Sequence, residues 1–453
     1  MSGTIDRRDF IKKSSALAAS ATILPLTSQS ASNPPDTPLK VGFIGTGLRG
    51  RNHINNILDR PLVVCNAICD IDPDAISASN EIFKSKGLEI PKSYGDHELS
   101  YKDMLESEDL DAVIISTNWS WHTPMCIDAM EAGVYVGTEV SGAFSLDECW
   151  DLVETHQRTG THLMFLENVC YRRDVMAVLN MVREGLFGEL LHARGGYQHD
   201  LRHVKFDDGN GGLVYGENAY SEAKWRTKHS QFRNADLYPT HGLGPISTML
   251  DHNRGNRLTS ISSFASKARS IKNYVKNHRD GGESHPYYKR DWALGDVVTS
   301  TITTARGETI IITHDTNLPR PYSLGFKVQG TGGIADFDYF TKRIHLEGKS
   351  ENHRWDDGKV WLEKYDHKLW KDFEKEAVDA GHGGMDFFLD RAFVESARSN
   401  TAPVLDVYDA AVWRSITPLS AASIRNGGAP QEIPDFTEGK WIDRKPVFGL
   451  GDY

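Results

Sequence analysis

At 453 residues, with 39% hydrophobic and 10% aromatic content, the chain is long enough for two or three packed domains, which excludes wholesale disorder. Fifty-one Lys and Arg against 62 Asp and Glu leave a net charge of −11, which excludes general affinity for nucleic-acid phosphates. No apolar run approaches the roughly 20 residues that a bilayer span needs, and five cysteines, at 65, 69, 126, 149 and 170, do not make a disulfide framework.

The chain starts with a processing signal. Arg7-Arg8-Asp9-Phe10-Ile11-Lys12-Lys13 is followed by a mildly apolar stretch over 16–26 and small residues over 28–32. That order reads as a twin-arginine signal, so residues 1–33 are expected to be an address for the twin-arginine export machinery and the mature protein to be periplasmic. This route carries folded proteins, which makes export compatible with unpaired cysteines. Residues 33–38, with three prolines, read as a spacer.

From residue 39 the pattern is strand, glycine turn, helix. The apolar run 39–44 ends in Gly45-Thr46-Gly47-Leu48-Arg49-Gly50, and a helical pattern continues through Leu58. Glycines there let backbone approach a pyrophosphate, and the helix N-terminus supplies amide donors. A second strand over 62–69 ends in Asp70, where a dinucleotide fold places the acid that holds the adenosine ribose. A carboxylate at that place accepts from a 2′-hydroxyl and repels a 2′-phosphate, so NAD is expected rather than NADP. Strands at 111–116, 134–138 and 161–166 alternate with helices at 125–132 and 146–159, which predicts a parallel doubly wound Rossmann domain over 39–170. Three strand-end segments then face the cofactor crevice: 117–122, with Trp119, Trp121 and His122; 139–142, with Glu139 and Val140; and 167–173, with Asn168.

After Glu189 the period changes. Alternating segments at 190–198, 258–265, 297–304, 309–313, 325–330 and 333–339 predict a large, mostly antiparallel open sheet in a C-terminal α+β domain over 171–453. The fold class is therefore α/β with a substrate-binding α+β domain. Helices are expected at 385–399 and 407–424. The polar, glycine-rich stretch 206–234 is too long for a simple connection, and such loops are often functional. It leads from Lys224-Trp225-Arg226 to Tyr238-Pro239-Thr240-His241, a turn entering a helix. A Tyr and a His together pass protons and an Arg fixes a polar substrate; a helix-capping turn with a buried His explains the same residues. His314-Asp315 and Arg320-Pro321-Tyr322 form a second polar cluster, and Gly381-His382-Gly383-Gly384 reads as a cap for the next helix. H-E-x-x-H, C-x-x-C and G-x-S-x-G are all missing, so no metal is expected and zinc, dithiol and serine-hydrolase chemistry have no support.

These residues carry a resemblance. The chain resembles the Gfo/Idh/MocA oxidoreductase superfamily and, more narrowly, glycoside hydrolase family 109, whose characterised activity is α-N-acetylgalactosaminidase. The similarity lies in Gly47-Leu-Arg-Gly50, Trp119-Ser-Trp-His122, Glu139-Val-Ser-Gly-Ala143, Glu167-Asn-Val-Cys-Tyr-Arg-Arg-Asp174, Lys224-Trp-Arg226, Tyr238-Pro-Thr-His241 and His314-Asp-Thr316, spread over about residues 39–445. The resemblance implies tightly bound NAD in a redox-neutral cycle. The sugar is oxidised at C3, the C1 substituent is eliminated, water adds, and the ketone is reduced with retention. The implied substrate is a terminal α-linked N-acetylgalactosamine or a related sugar. It implies His241 and Tyr238 as acid–base residues and Tyr197, Arg226, Tyr238, His241 and Tyr322 as the sugar site. The implied cofactor residues are Leu48, Arg49, Asp70, Trp119, His122, Glu139, Val140 and Asn168, beside Gly45, Gly47 and Gly50 of the loop. Val140 stands where the dehydrogenases carry a proton-transferring lysine, which counts against the alternative, an exported NAD(P)-dependent sugar oxidoreductase. A homo-oligomer is compatible with either reading.

Overall fold

The computed structural model describes residues 36–338 and 341–453, so the twin-arginine segment falls outside the described residues. Strand β1 (Leu39–Ile44) is apolar on both faces and lies between β2 (Val63–Cys69) and β4 (Ala112–Ile115), so it must be covered on both sides. With β3 (Lys92–Tyr94), β5 (Tyr135–Thr138) and β6 (Leu163–Phe165) it forms a six-stranded sheet in the order β3-β2-β1-β4-β5-β6, and every pair is parallel. The strand order reverses between β1 and β4, which opens the crevice where such sheets bind ligands.

Helix α1 (Leu48–Leu58) follows β1, α2 (Trp119–Glu131) follows β4 and α3 (Asp147–Thr159) follows β5. The sequence placed the start of α2 at residue 125, after Pro124. The helix starts six residues earlier because the Asn118 side chain caps it, accepting from Ser120 N–H at 3.1 Å. Trp119 and His122 thus stand on the first turns of a helix rather than in a loop.

The second sheet has nine strands: β7 (Leu190–Gln198), β8 (Leu258–Ala265), β9 (Val298–Thr304), β10 (Thr309–Asp315), β11 (Lys327–Gly330), β12 (Gly333–Phe337), β13 (Lys342–Leu346), β14 (Asp356–Asp357) and β15 (Gln431–Glu432). Their order is β14-β13-β12-β11-β7-β10-β9-β8-β15, antiparallel except for the β7–β10 pair. The last three strands escaped sequence reading; two of them are only two residues long. Helix α4 (Thr240–Met249) lies on β7. Close approach is allowed by glycines on both sides, since a Cβ on Gly195 would come 2.3 Å from the Gly242 carbonyl oxygen and one on Gly242 would come 2.5 Å from Gly196 N.

Helices α5 (Met385–Ser399) and α6 (Val407–Arg425) return to the first sheet. Phe165 N–H at the end of β6 donates to Leu405 O at 2.9 Å, and the Phe393 ring fills the space over Gly137 on β5. Truncating Phe393, fully buried there, costs about 3–5 kcal/mol. One hydrophobic core therefore runs through both sheets, with a separate hydrophobic cluster in which Phe206 and Leu213 of the 206–234 stretch join Ile271, Val275 and Trp292. The five cysteines are free, and all but Cys65 are buried. No helix among the described residues is long and apolar enough to cross a membrane.

Candidate active site

A cavity of about 990 Å³ opens at the carboxyl ends of β1, β2, β4 and β5 and extends beneath the 206–234 stretch. Its first half is lined by Gly45, Gly47, Leu48, Arg49 and Asp70, with Trp119, His122, Glu139, Val140 and Asn168. The second half brings Tyr197, Arg226, Tyr238 and His241. All but two of the sequence-derived site residues therefore share one space. Gly50 does not line it; a Cβ there would lie 2.1 Å from Gly45 O, so its task is tight packing of α1 on the β1 turn. Tyr322 is not among the residues that line the cavity; its ring is 6.4 Å from that of Tyr197 and 5.3 Å from that of His199.

The first half fits a dinucleotide. A Cβ on Gly47 would meet nothing within 4 Å, so the turn leaves open room at the α1 N-terminus for a pyrophosphate. Asp70 Oδ2 accepts from Thr46 N–H at 2.7 Å and Oδ1 from Asp72 N–H at 2.9 Å, which aims the carboxylate and leaves acceptor sites for ribose hydroxyls. Burial raises its carboxyl, and the two amides pull it back.

Glu139 is not free to act as a base. Its Oε1 receives His53 Nε2 at 2.8 Å and Arg49 Nε at 2.5 Å, while Oε2 takes Val140 N–H at 3.0 Å. Burial alone would raise the Glu139 carboxyl, but Arg49 and His53 outweigh it and hold it well below the usual range. His53 is itself fully buried and also meets Asp390 Oδ1 through Nδ1 at 2.7 Å. Burial opposes its charge, yet Asp390 and Glu139 push it up to about 9. Neither His53 nor Asp390 was flagged by sequence, because their partners lie 86 and 337 positions apart. Burial lowers His122 to about 4, so it is a neutral wall of the cavity, with Nε2 against Thr117 O at 3.0 Å.

The second half is an aromatic cup. The Tyr238 ring lies 4.6 Å from Tyr197, 4.8 Å from His241 and 5.7 Å from Trp119. The Arg226 guanidinium sits 4.9 Å from Trp119 and 5.5 Å from Tyr238, with Nε 2.6 Å from Glu222. Burial drives both phenols, Tyr197 and Tyr238, well above their ordinary range, so each remains a hydrogen-bond donor at neutral pH. His241 Nδ1 faces Glu167 Oε1 at 2.7 Å. The approach of α4 makes this contact, since a Cβ on Gly244 would press to 2.9 Å from Glu167 Cγ. Glu167, fully buried, was seen by sequence as a strand-end residue but not as the partner of His241. Asp236, two residues before Tyr238, is pushed by burial up to about 7.

Comparison with known proteins gives two domain matches. Residues 39–166 match the oxidoreductase family with an NAD-binding Rossmann fold, and residues 171–443 match the C-terminal domain of glycosyl hydrolase 109. An alpha-N-acetylgalactosaminidase of Tannerella forsythia is 48% identical over 98% of this chain and 99% of its own length. A glycosyl hydrolase family 109 protein of Parabacteroides distasonis is 48% identical at the same coverage. Among solved structures, levoglucosan dehydrogenase in complex with NADH and levoglucosan has a TM-score of 0.64 at 18% identity, covering 88% of this chain and 100% of that one. That likeness is one of fold.

Proposed function

Because the chain belongs to glycosyl hydrolase family 109 and is a glycoside hydrolase, we propose that it is an exo-acting, retaining α-N-acetylgalactosaminidase that works with tightly held NAD. The observation that carries this reading is the sharing of one cavity by the glycine loop with Asp70 and the Tyr238–His241 pair. Gly47, Leu48, Arg49, Asp70, Trp119 and Asn168 would hold the cofactor. When bound, NAD supplies reversible hydride acceptance at sugar C3, which acidifies the C2 hydrogen so that the C1 substituent leaves by elimination and water adds in its place. Such a route needs no pair of carboxylates flanking the glycosidic bond.

The chain's own groups divide the remaining work. Glu167 fixes the His241 ring through Nδ1 and leaves Nε2 as the atom that takes and returns protons at the sugar. Tyr238 and Tyr197, held protonated by burial, donate hydrogen bonds to sugar oxygens. Arg226, pinned over Trp119 and tied to Glu222, fixes a sugar oxygen. The aromatic walls exclude water from the reacting carbons.

We assign the protein to the periplasm on the Arg7-Arg8 signal; Arg7→Lys/Arg8→Lys in the full chain should leave it in the cytoplasm. The substrate and cofactor reading is tested with p-nitrophenyl α-N-acetylgalactosaminide. Release of nitrophenol without accumulation of NADH supports it. Net NADH without release would replace it with a sugar oxidoreductase.

A further inference from the structure

Lys224 stands first in the run Lys224-Trp225-Arg226, at the end of a short 3₁₀ turn, Ser221–Lys224, within the polar 206–234 stretch. Its ammonium pairs with Asp72 Oδ2, 152 positions earlier, and both side chains lie on the wall of the large cavity. Asp72 is itself well fixed. Its Oδ1 accepts from Asp74 N–H at 3.1 Å to cap the helix Pro73–Ser85, and its own N–H is one of the donors that aim Asp70. The lysine therefore ends beside the acid suited to an adenosine ribose, and it holds the Asp72 carboxyl below the ordinary range.

The same stretch also meets the first sheet further along its edge. The Trp225 ring lies 5.0 Å from that of Trp119, which follows β4, and Arg233 Nη2 donates to Ala143 O at 2.8 Å, beyond β5. Asp72 follows β2. In the sheet order β2-β1-β4-β5, the glycine loop at the end of β1 lies between the Asp72 and Trp119 contacts. The stretch is held from its own side as well. Phe206 and Leu213 pack with Ile271, Val275 and Trp292, Thr227 Oγ1 donates to Lys205 O, and Gly216 N–H donates to Ala223 O at 2.9 Å. A segment ordered at its base and resting on the ends of several strands makes a bridge across the edge where such sheets bind dinucleotides. The Lys224–Asp72 pair closes the ribose end of that bridge. Its side chains are 38% and 31% exposed, so water and salt reach it.

We propose that Lys224 is a positioning residue for cofactor retention: its ion pair with Asp72 latches the 206–234 stretch over the nucleotide half of the cavity, and opening of this latch limits the release of NAD. The adenosine end, which leaves beside Asp70, is the part that must pass it. Such a latch suits a cycle in which NAD is reduced and reoxidised in place, because a cofactor that stays bound needs no exchange. This inference rests on the reading that the cavity holds NAD.

The test is made on the purified protein loaded with isotope-labelled NAD. Release into excess unlabelled NAD is timed for wild type, Lys224→Met, Lys224→Arg, Asp72→Asn and the double variant Lys224→Met/Asp72→Asn. Both side chains are partly exposed and Asn caps a helix as well as Asp does, so folding stays intact, which equal melting temperatures without nucleotide check. Release is expected to quicken about threefold or more in Lys224→Met and in Asp72→Asn. The double variant should release no faster than either single one, and Lys224→Arg should return toward wild type. The gap between wild type and Lys224→Met should narrow as salt screens the pair. Equal release rates, or single effects that multiply in the double variant, would overturn the latch while leaving the cofactor reading in place. Wild-type protein that neither carries nor binds NAD would overturn both.

Discussion

His241 Nδ1 lies 2.7 Å from Glu167 Oε1, and Glu167 has no exposure to solvent. The pair has the form of an imidazole aimed by a buried carboxylate, in which the acid sets tautomer and orientation and the far nitrogen does the chemistry. Glu167→Gln is isosteric and reverses that preference, since the amide nitrogen presents a donor to Nδ1. Turnover of the nitrophenyl glycoside is expected to fall about 100-fold or more with substrate KM little changed; turnover within about threefold of wild type would remove Glu167 from this role.

Gly242→Ala probes how the site is assembled. The added Cβ meets backbone, with Gly196 N at 2.5 Å and Gly196 Cα at 2.6 Å, so α4 must lift from β7. His241 then moves away from Tyr197 and Glu167. A misplacement of about 1 Å costs on the order of 100-fold in rate, and kcat measured on folded protein with normal NAD content reads it out.

The glycine loop gives a paired test. Gly47→Ala adds a methyl into open space, so the melting temperature is expected to stay close to wild type while NAD affinity falls. Gly50→Ala puts a methyl 2.1 Å from Gly45 O and is expected to destabilise the fold itself by about 1–3 kcal/mol. Thermal melts with and without added NAD separate the two effects.

His53 predicts a loss of stability in alkali. Its folded-state value near 9 lies above the ordinary 6.5, so the charged imidazolium stabilises the fold fully below about pH 6.5 and that contribution fades as pH rises through 9. The difference corresponds to at most about 3 kcal/mol. Denaturant unfolding at pH 7 and pH 10 should show the loss in wild type and a smaller one in His53→Gln, already destabilised at pH 7.

The first sheet was legible in the sequence because its signals are local: an apolar run, Gly45 and Gly47, Asp70 after the second strand, then regular alternation. Tyr238 and His241 were legible for a similar reason, three residues apart in one turn. What escaped is set by distant partners. His53 and Asp390 acquire meaning only when α5 folds back on α1, and Glu167 only when α4 settles onto β7. The helix read over 125–132 starts earlier, at Trp119, because the Asn118 side chain caps it there and Pro124 is accommodated inside it. Tyr322 meets the rings of Tyr197 and His199, more than 100 positions earlier in the chain, a contact that no spacing along the chain encodes.

The return of α5 and α6 to the first sheet has a consequence for the order of events in the cell. A chain made from its N-terminus completes the six strands of the cofactor sheet by residue 165, yet the hydrogen bond from Phe165, the ring over Gly137 and the carboxylate facing His53 arrive only with residues 390–405. During synthesis the nucleotide crevice stands unfinished through more than half of translation. The first sheet gains these contacts only once residue 405 has been made, so the segment that covers it follows its last strand at a distance of more than 200 residues.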